Sequence, residues 1–477
     1  MNKLPKDPLI QKAYVFAEKS FIGQKRFSGD PVFSHSLAVA LLLAEWRLDS
    51  TSIVAGLLHD VVEDGGKTIE QIRSQFGDQV GDLVWGVTKI GELKFRGSDE
   101  EVFVENLRKM LVVMAKDLRV VLIKLADRYH NMQTLSFLPP EKQFRIAKET
   151  LEIYAPMAER LGIGELKGKL EDLAFPYVYP KEHDWVVNLS QDYFQKAEKQ
   201  ISQAKEDLKK EFKKENIKAE VHGRRKHLYS LWRKLLRPEI NKDINKIYDL
   251  AALRILVDEV RDCYASLGVV HKIWKPVPAI GIRDFIAQPK PNGYRSIHTT
   301  VFGKDGRIIE IQIRTFEMHD QAENGVAAHW HYGQQKNTSL SDKKIEQGFF
   351  APDAKLSWVK QLVSWQKEIA GSHEYLEALK FDALKHRIFV FSPKGDVYDL
   401  PVDATPIDFA YAVHTSLGDH TAGAKVDGKM VQLNEPLKSG QTVEIIIDKN
   451  KKKPSRDWLN FVVTQTAKKE IQKHSKT

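Results

Sequence analysis

The chain has one cysteine, Cys263, in 477 residues, which excludes an intrachain disulfide framework and a cysteine zinc cluster. It has no apolar run approaching the roughly 20 residues of a membrane-spanning helix. MNKLPKDPLIQKA at its start lacks a hydrophobic stretch of signal-peptide length, so a cytoplasmic protein is expected. No internal repeat stands out. Excess charge is scarcer than the net +9 suggests: residues 449–477 hold nine Lys/Arg against Asp457 and Glu470, a net +7, so the other 448 residues carry +2. The basic character belongs to this tail, whose KNKKK is either an ordinary solvated terminus or a contact for RNA phosphates. The chain as a whole is 42% hydrophobic with mean hydropathy −0.39, and it is too long for one ordinary domain.

The densest chemistry lies in HDVVED, residues 59–64, after the apolar run Ile53 to Leu58. On a helix His59 and Glu63 stack on one face, as do Asp60 and Asp64. Burying a His-Asp doublet beside an acidic pair is costly unless a cation compensates the charge, and a metal ion is the simplest one. His35 opens the apolar stretch Leu37 to Trp46, and VVLIKLADRYHNM places Asp127 four residues before Asn131 on another predicted helix. His35, His59, Asp60 and Asp127 then make a His/His/Asp/Asp set suited to Mn, Zn or Fe. Such an ion lowers the pKa of a bound water and polarises a phosphoryl oxygen, with Glu63 and Asp64 placed for proton transfer. A lone His-Asp pair is usually capped or salt-bridged; the full set is what favours a metal.

Helical spacing runs through residues 1–180, continuing in YAPMAERLGIGELKGKLEDLAF and breaking at FPYVYP, so the first domain is expected to be all helical. Residues 181–219 read as a charged helical connector. From 220 to 335 the period changes: YDLAALRILV, TTVFG and IIEIQIRT are strand-like among helical segments, a mixed α/β domain. Residues 336–385 read as a linker followed by an amphipathic helix. HRIFVFSPKGDVYDLP is a hairpin signal, ATPIDFAYAVHTSLG a helix and VEIIID a strand, so 386–448 reads as a small α+β, ubiquitin-like module with no catalytic constellation.

The α/β region gathers phosphate-binding types. GRRKHLYSLWRK supplies Arg224, Lys226 and Lys234, the two lysines eight apart and able to share a helix face. In the strand Ile308 to Thr315, Glu310, Gln312 and Arg314 share a polar face opposite three buried isoleucines. Asp249 and Glu310 offer two carboxylates for Mg holding ATP phosphates. PKPNGYRSIH adds a turn that can approach a ligand, and Tyr294 an aromatic face for a base. Singly these fragments are ordinary; together they point to a nucleotide site.

RFSGDPVFSH, HDVVED, GVTKI and KLADRYHNM together resemble the hydrolase half of RelA/SpoT homologues, the long alarmone synthetase/hydrolases. The 223–234 segment, PKPNGYRSIH and VAAHWHYG resemble their nucleotidyltransferase-like synthetase domain, and 386–448 resembles their TGS domain. The resemblance implies transfer of pyrophosphate from ATP to the 3′-hydroxyl of GDP or GTP, and hydrolysis of the product, (p)ppGpp, at a Mn site. It makes Arg26 a nucleotide contact and Asn131 a pocket residue of the hydrolase. In the synthetase it makes Arg224, Lys226 and Lys234 the ATP-phosphate contacts, Asp249 a Mg ligand, and Glu310 the metal-assisting base. Tyr294 then stacks guanine, with Lys290, Asn292 and His298 in the guanine-nucleotide loop. The sequence departs from the family at Gly281, where a basic residue is usual, and at Phe27 and Val32, where Lys and Tyr are common.

PSRDWLNFVVTQTAKKEIQ resembles the start of the family's next helical segment, and the later zinc-binding and ACT-like regions fall outside these residues. Two alternatives stand beside the bifunctional enzyme. One is a hydrolase with weak synthesis, motivated by Gly281; the other is a ribosome- or RNA-associated sensor whose nucleotide sites only bind. Two opposed activities would waste ATP together, so ligand at one site is expected to disfavour the active state of the other.

Overall fold

A computed structural model describes residues 4–91, 116–247, 250–278, 280–289, 293–303, 308–325, 387–438, 440–448 and 453–473. These fall into two compact units, one holding a helical domain and a five-stranded sheet, the other a smaller C-terminal module. Among the described residues no helix is long and apolar enough to cross a membrane.

The helical domain is built around α3 (Ser50–Leu58), in which every residue from Ser52 to Leu58 is buried. Its apolar run explains this: Ile53, Val54, Leu57 and Leu58 are at most 1% exposed, each worth about 1.5–3 kcal/mol of burial. Asp49 caps the helix by accepting from the Ser52 amide at 2.8 Å. Its second oxygen takes Arg119 Nη1 at 2.8 Å, tying α3 to the start of α6 (Arg119–Gln133). On the other side α2 (Val32–Glu45) packs so closely that a Cβ on Gly56 would lie 2.5 Å from Leu43 Cδ1. α1 (Pro8–Ser20), α4 (Ile69–Phe76) and α5 (Asp78–Gly91) complete this first layer.

α7 (Pro140–Glu149) runs through a π-helical turn, Thr150–Tyr154, into α8 (Ala155–Arg160). The break expected at FPYVYP is narrower than its two prolines suggest. Pro176 sits inside the last turn of α9 (Gly164–Val178), where it removes one helical hydrogen bond, and the chain bends only at Tyr179. Pro180 then opens α10 (Pro180–Lys214), a position where its missing N–H costs nothing.

α10 does more than connect. Val186 and Phe194 join a cluster with Phe175, Leu231 and Trp232, while Ala204, Leu208 and Phe212 enter the core beneath the sheet. A charged helix can do this because one face in 3.6 is enough to bury it.

The sheet order is β1-β2-β5-β4-β3, with β1 (Ala219–Arg225), β2 (Ala251–Val257), β3 (Arg283–Asp284), β4 (Ile297–Phe302) and β5 (Ile308–Thr315). β2 and β5 are parallel, joined through α12 (Val260–Ile273), and the other pairs are antiparallel. One face carries Leu253, Ile255, Ile297, Val301, Ile309, Ile311 and Ile313 into the core against α10 and α12. Register places Arg224 opposite Ala252, Arg254 and His298 opposite Gln312, and Arg283 opposite His298, so all share the face of Glu310 and Arg314. This polar face is not open to water as alternation alone implies. Gln312 is 5% and Arg314 1% exposed, because α13 (Phe316–Asn324) turns back to supply Glu323 and His319 as partners to Arg314.

In the C-terminal module β6 (Arg387–Phe391) and β7 (Val397–Pro401) form the expected hairpin. The helix expected over ATPIDFAYAVHTSLG is two, α14 (Pro406–Val413) and α15 (Thr415–Asp419). They break at His414, whose ring accepts from the Ser416 amide at 3.2 Å and caps the second. β8 (Thr421–Val426), β9 (Lys429–Val431) and β10 (Val443–Ile447) make the second sheet. The basic segment folds back here: α16 (Gln465–Lys473) and Trp458 pack on Ile407 and Tyr411 of α14. Buried Asp408 accepts from the amides of Val463 and Thr464 and from Thr405.

Candidate functional site

Three helices deliver the first cluster. His35 comes from α2, His59 and Asp60 follow the end of α3, and Asp127 comes from α6. HDVVED is not itself an α-helix: α3 stops at Leu58 and residues 59–64 continue as turns, with the Asp64 amide bonded to Asp60 O at 2.8 Å. His35 Nε2 lies 3.2 Å from His59 Nε2, 3.2 Å from Asp127 Oδ1 and 3.5 Å from Asp60 Oδ2. His59 Nε2 lies 3.1 Å from Asp60 Oδ1. His35, His59 and Asp127 are buried and converge within 4.8 Å, with Asp60 beside them.

The second contacts of these side chains fix their orientation. His59 Nδ1 donates to Gly56 O at 2.9 Å, which leaves the Nε2 lone pair facing the cluster. His35 Nδ1 meets His130 Nδ1 at 2.9 Å. Asp127 accepts from Asn131 Nδ2 at 2.5 Å and pairs with Lys124 Nζ at 2.7 Å, and Asn131 Oδ1 accepts from Arg26 Nη2 at 2.8 Å. Sequence reasoning missed Lys124 and His130. The signal was their spacing, three residues to either side of Asp127 on one helix.

Burial opposes charge on His59, but Asp60 and then Asp127 outweigh it and push its pKa up to about 9. Burial lowers that of His35. Asp127 is held well below the carboxylate range despite its burial, by Lys124 and then His35. A site that stabilises a proton between two imidazoles and two carboxylates stabilises a divalent cation at the same lone pairs. The mixed N/O donor set therefore fits such an ion. Burial raises the pKa of Glu63, and burial followed by Asp60 raises that of Asp64. Arg26, Asp60, Glu63, Asp64, Asp127 and Asn131 line one cavity of about 870 Å³, the range of a small-molecule site.

The second cluster lies on the polar face of the sheet. Glu310 Oε1 accepts from Arg283 Nη2 at 3.0 Å and from His298 Nδ1 at 3.1 Å, and the Tyr294 hydroxyl donates to His298 Nε2 at 2.7 Å. Arg224 is exposed on the adjoining strand of that face. Lys226 and Lys234 do not share a helix: Lys226 ends the strand–helix junction, its amide bonded to Leu250 O at 3.1 Å, and Lys234 lies in the last turn of α11 (Leu228–Leu235). His227, whose φ/ψ is extended, caps that helix and keeps Lys226 outside it.

Sequence reasoning placed Arg314 on this face but missed Arg254 and Glu323. Glu323 Oε1 takes Arg314 Nη2 at 2.8 Å and Arg254 Nη1 at 3.1 Å, and burial, then Arg314, brings the Arg254 pKa down to about 10. Among the described residues the Nε groups of both arginines are buried and make no hydrogen bond. Only strand register puts Arg254 on the face of Glu310, and only the return of α13 brings Glu323 to it. Asp249, Lys290 and Asn292 lie outside the described residues, as do VAAHWHYG and 336–385.

The architecture defines a multidomain protein with a helical His/Asp metal-type domain, an α/β domain with an acidic and basic sheet face, and a small α+β module. Residues 13–164 match the HD domain, 223–337 the region found in RelA/SpoT proteins, and 388–447 the TGS domain. The chain is 47% identical over 469 residues to a GTP pyrophosphokinase of Streptomyces coelicolor, covering 97% of this chain and 55% of that protein. It is 44% identical over 469 residues to the bifunctional (p)ppGpp synthase/hydrolase RelA of Mycobacterium tuberculosis, covering 97% and 62%. To the guanosine-3′,5′-bis(diphosphate) 3′-pyrophosphohydrolase of Aquifex aeolicus it is 43% identical over 468 residues, covering 98% and 64%. The chain carries the HD, RelA/SpoT and TGS regions in that order and is similar to RelA/SpoT proteins over nearly its whole length. It spans a little over half the length of the curated relatives it matches.

Proposed function

We propose that the chain is a bifunctional alarmone enzyme, transferring pyrophosphate from ATP to the 3′-hydroxyl of GDP or GTP and hydrolysing (p)ppGpp back to GDP or GTP and pyrophosphate. The observation that carries this reading is the presence in one chain of two separate sites. One is the His/His/Asp convergence beside two carboxylates of raised pKa. The other is the Arg283–Glu310–His298–Tyr294 chain on the sheet.

In the hydrolase, His35, His59, Asp60 and Asp127 would hold a divalent cation, Mn by family resemblance. When bound, it supplies Lewis acidity toward the scissile phosphoryl group and water. Glu63 and Asp64 act on protons: burial keeps their affinity for one above that of a solvated carboxylate, which suits accepting it from attacking water. Arg26, fixed by Asn131, contacts nucleotide phosphate.

In the synthetase, Glu310 accepts the proton of the 3′-hydroxyl, and His298 and Arg283 hold the carboxylate in place. Tyr294 stacks guanine, with Lys290 and Asn292 in the same loop. Arg224, with Arg254 near it on the sheet face, and Lys226 and Lys234 neutralise ATP phosphates; Asp249 and Glu310 are the carboxylates for Mg. Gly281 takes φ +68°, a left-handed conformation that costs a basic side chain some strain, though Arg47 and Lys242 adopt it elsewhere in this chain. Arg283, bonded to Glu310, supplies positive charge there instead. RNA or ribosome contact through the TGS domain and the basic 449–477 segment, in a cytoplasmic setting, rests on that segment's charge, and a steep salt dependence of RNA binding tests it.

The deciding assay supplies ATP, GDP and Mg to an Asp60→Ala variant, in which hydrolysis cannot hide product. Guanosine 3′-pyrophosphate product that vanishes on adding Glu310→Gln establishes the synthetase site and, with hydrolysis by the wild-type chain in Mn, supports the bifunctional reading. No product, with the wild-type chain still hydrolysing the alarmone in Mn, makes the protein mainly a hydrolase.

A further inference from the structure

The hydrolase cavity has an aromatic ring at a place where folding does not call for one. Residues 26–29 form a tight turn in which the Gly29 amide donates to Arg26 O at 2.9 Å and the Arg26 amide to Asp30 O at 2.9 Å. Gly29 takes φ +87°, which closes the turn. Phe27 occupies the first central position and is 70% exposed. Turn tips ordinarily carry polar residues, and an exposed phenyl ring gains nothing from burial.

Its surroundings give it a use. Phe27 lines the same 870 Å³ cavity as Asp60, Glu63 and Asp127, and Phe137, 55% exposed, lines it too. From α7, Lys142 Nζ stands 5.6 Å from the Phe27 ring centroid, a cation–π contact that helps hold the ring. Arg26, the preceding residue, is bonded to Asn131, so the backbone carrying the ring is anchored to α6. The ring is thus a pre-positioned aromatic surface one residue from the Arg26 guanidinium, which lines the same cavity. A nucleotide whose phosphates reach the metal cluster needs such a surface for its base.

We propose that Phe27 is a specificity residue of the hydrolase, stacking the guanine base of the alarmone, with Lys142 bracing the ring. The assignment rests on the hydrolase reading of this cavity. Stacking acts on binding and leaves the phosphoryl chemistry alone, so its loss belongs in KM. It also needs a flat ring and no particular edge, so tyrosine should serve.

The test is steady-state hydrolysis of guanosine 3′,5′-bis(diphosphate) by the full chain in Mn, comparing wild type with Phe27→Ala, Phe27→Tyr and Lys142→Ala. Phe27→Ala is expected to raise KM by roughly 5- to 100-fold, with kcat within about threefold. Phe27→Tyr should stay near wild type, and Lys142→Ala should raise KM less than Phe27→Ala. Because the ring is exposed, the variants are expected to fold, and unchanged circular dichroism confirms it. Equal KM for wild type and Phe27→Ala overturns the stacking role, as does failure of tyrosine to rescue. If wild type itself hydrolyses nothing, the reading of the cavity falls and the Phe27 assignment with it, an outcome distinct from the other two.

Discussion

His227 provides a stability measurement that isolates one contact between the helical domain and the sheet domain. It lies between Lys226 and α11, and its ring reaches α9: Nδ1 is 2.8 Å from Asp172 Oδ2 and Nε2 is 3.9 Å from Glu165 Oε2. The ring packs so closely on α9 that a Cβ at Gly168 would sit 2.2 Å from its Cδ2. Burial opposes the charged form, but Asp172 and Glu165 overcome it and lift the pKa from 6.5 to about 9. A group whose folded pKa lies above its unfolded value stabilises the fold fully below the unfolded pKa and loses that contribution as pH rises through the folded one. The window here is pH 6.5 to 9. At about 1.36 kcal/mol per unit, a shift of this size is worth at most about 3 kcal/mol. Glu165, lowered to about 2 by the same His227 contact, is the other side of one interaction and adds nothing to that figure. In a domain of this size about 3 kcal/mol corresponds to roughly 6–12 °C in Tm. Thermal unfolding of wild type and His227→Gln, read at pH 6 and again at pH 9.5, should show a gap of several degrees that closes at the higher pH. A gap of equal size at both values would refute the ion-pair account and leave only packing.

Further outcomes follow from neighbouring contacts. Gly168→Ala should force the His227 ring off α9, costing about 1–3 kcal/mol and abolishing the same pH-dependent gap. Asp127→Asn should weaken Mn binding by at least about 100-fold in calorimetry and lower Tm, because it strands the buried Lys124 ammonium. Adding Lys124→Met should recover Tm while leaving Mn binding lost; recovery of neither would place Lys124 outside this balance. Ligand at the hydrolase site should change GDP affinity at the synthetase by roughly 5- to 150-fold, and equal affinities with and without it would exclude coupling.

Much of the His/Asp cluster was legible because its information is local. His59 and Asp60 are adjacent, Asp127 and Asn131 are one helical turn apart, and the apolar runs beside them mark the helices that carry them. The strand Ile308–Thr315 was legible for the same reason, since alternation fixes which residues share a face. Alternation does not say what covers that face. The burial of Arg314 depends on Glu323 returning from α13, and the approach of Arg254 on β2 pairing with β5 across some 55 residues of chain, neither written in a local pattern. The same holds for α10, whose lysines and glutamates conceal Phe194, Leu208 and Phe212 at core spacing.

These non-local contacts are also where the two sites approach one another. Glu323, which holds both buried arginines of the synthetase face, lines a cavity of about 610 Å³ together with His130, whose ring touches the metal-cluster residue His35. Arg47 from the loop after α2 meets Asp320 of α13 at 3.4 Å on the same side of the molecule. The helical domain therefore meets the sheet domain in two ways, through the apolar cluster of Phe175 with Tyr229, Leu231 and Trp232 and through these ionised pairs beside the cavity. Ion pairs at such a surface contribute little individually and can exchange partners at small cost. Such exchangeable pairs are where ligand at one site would act on the other, the coupling that the GDP-affinity measurement tests.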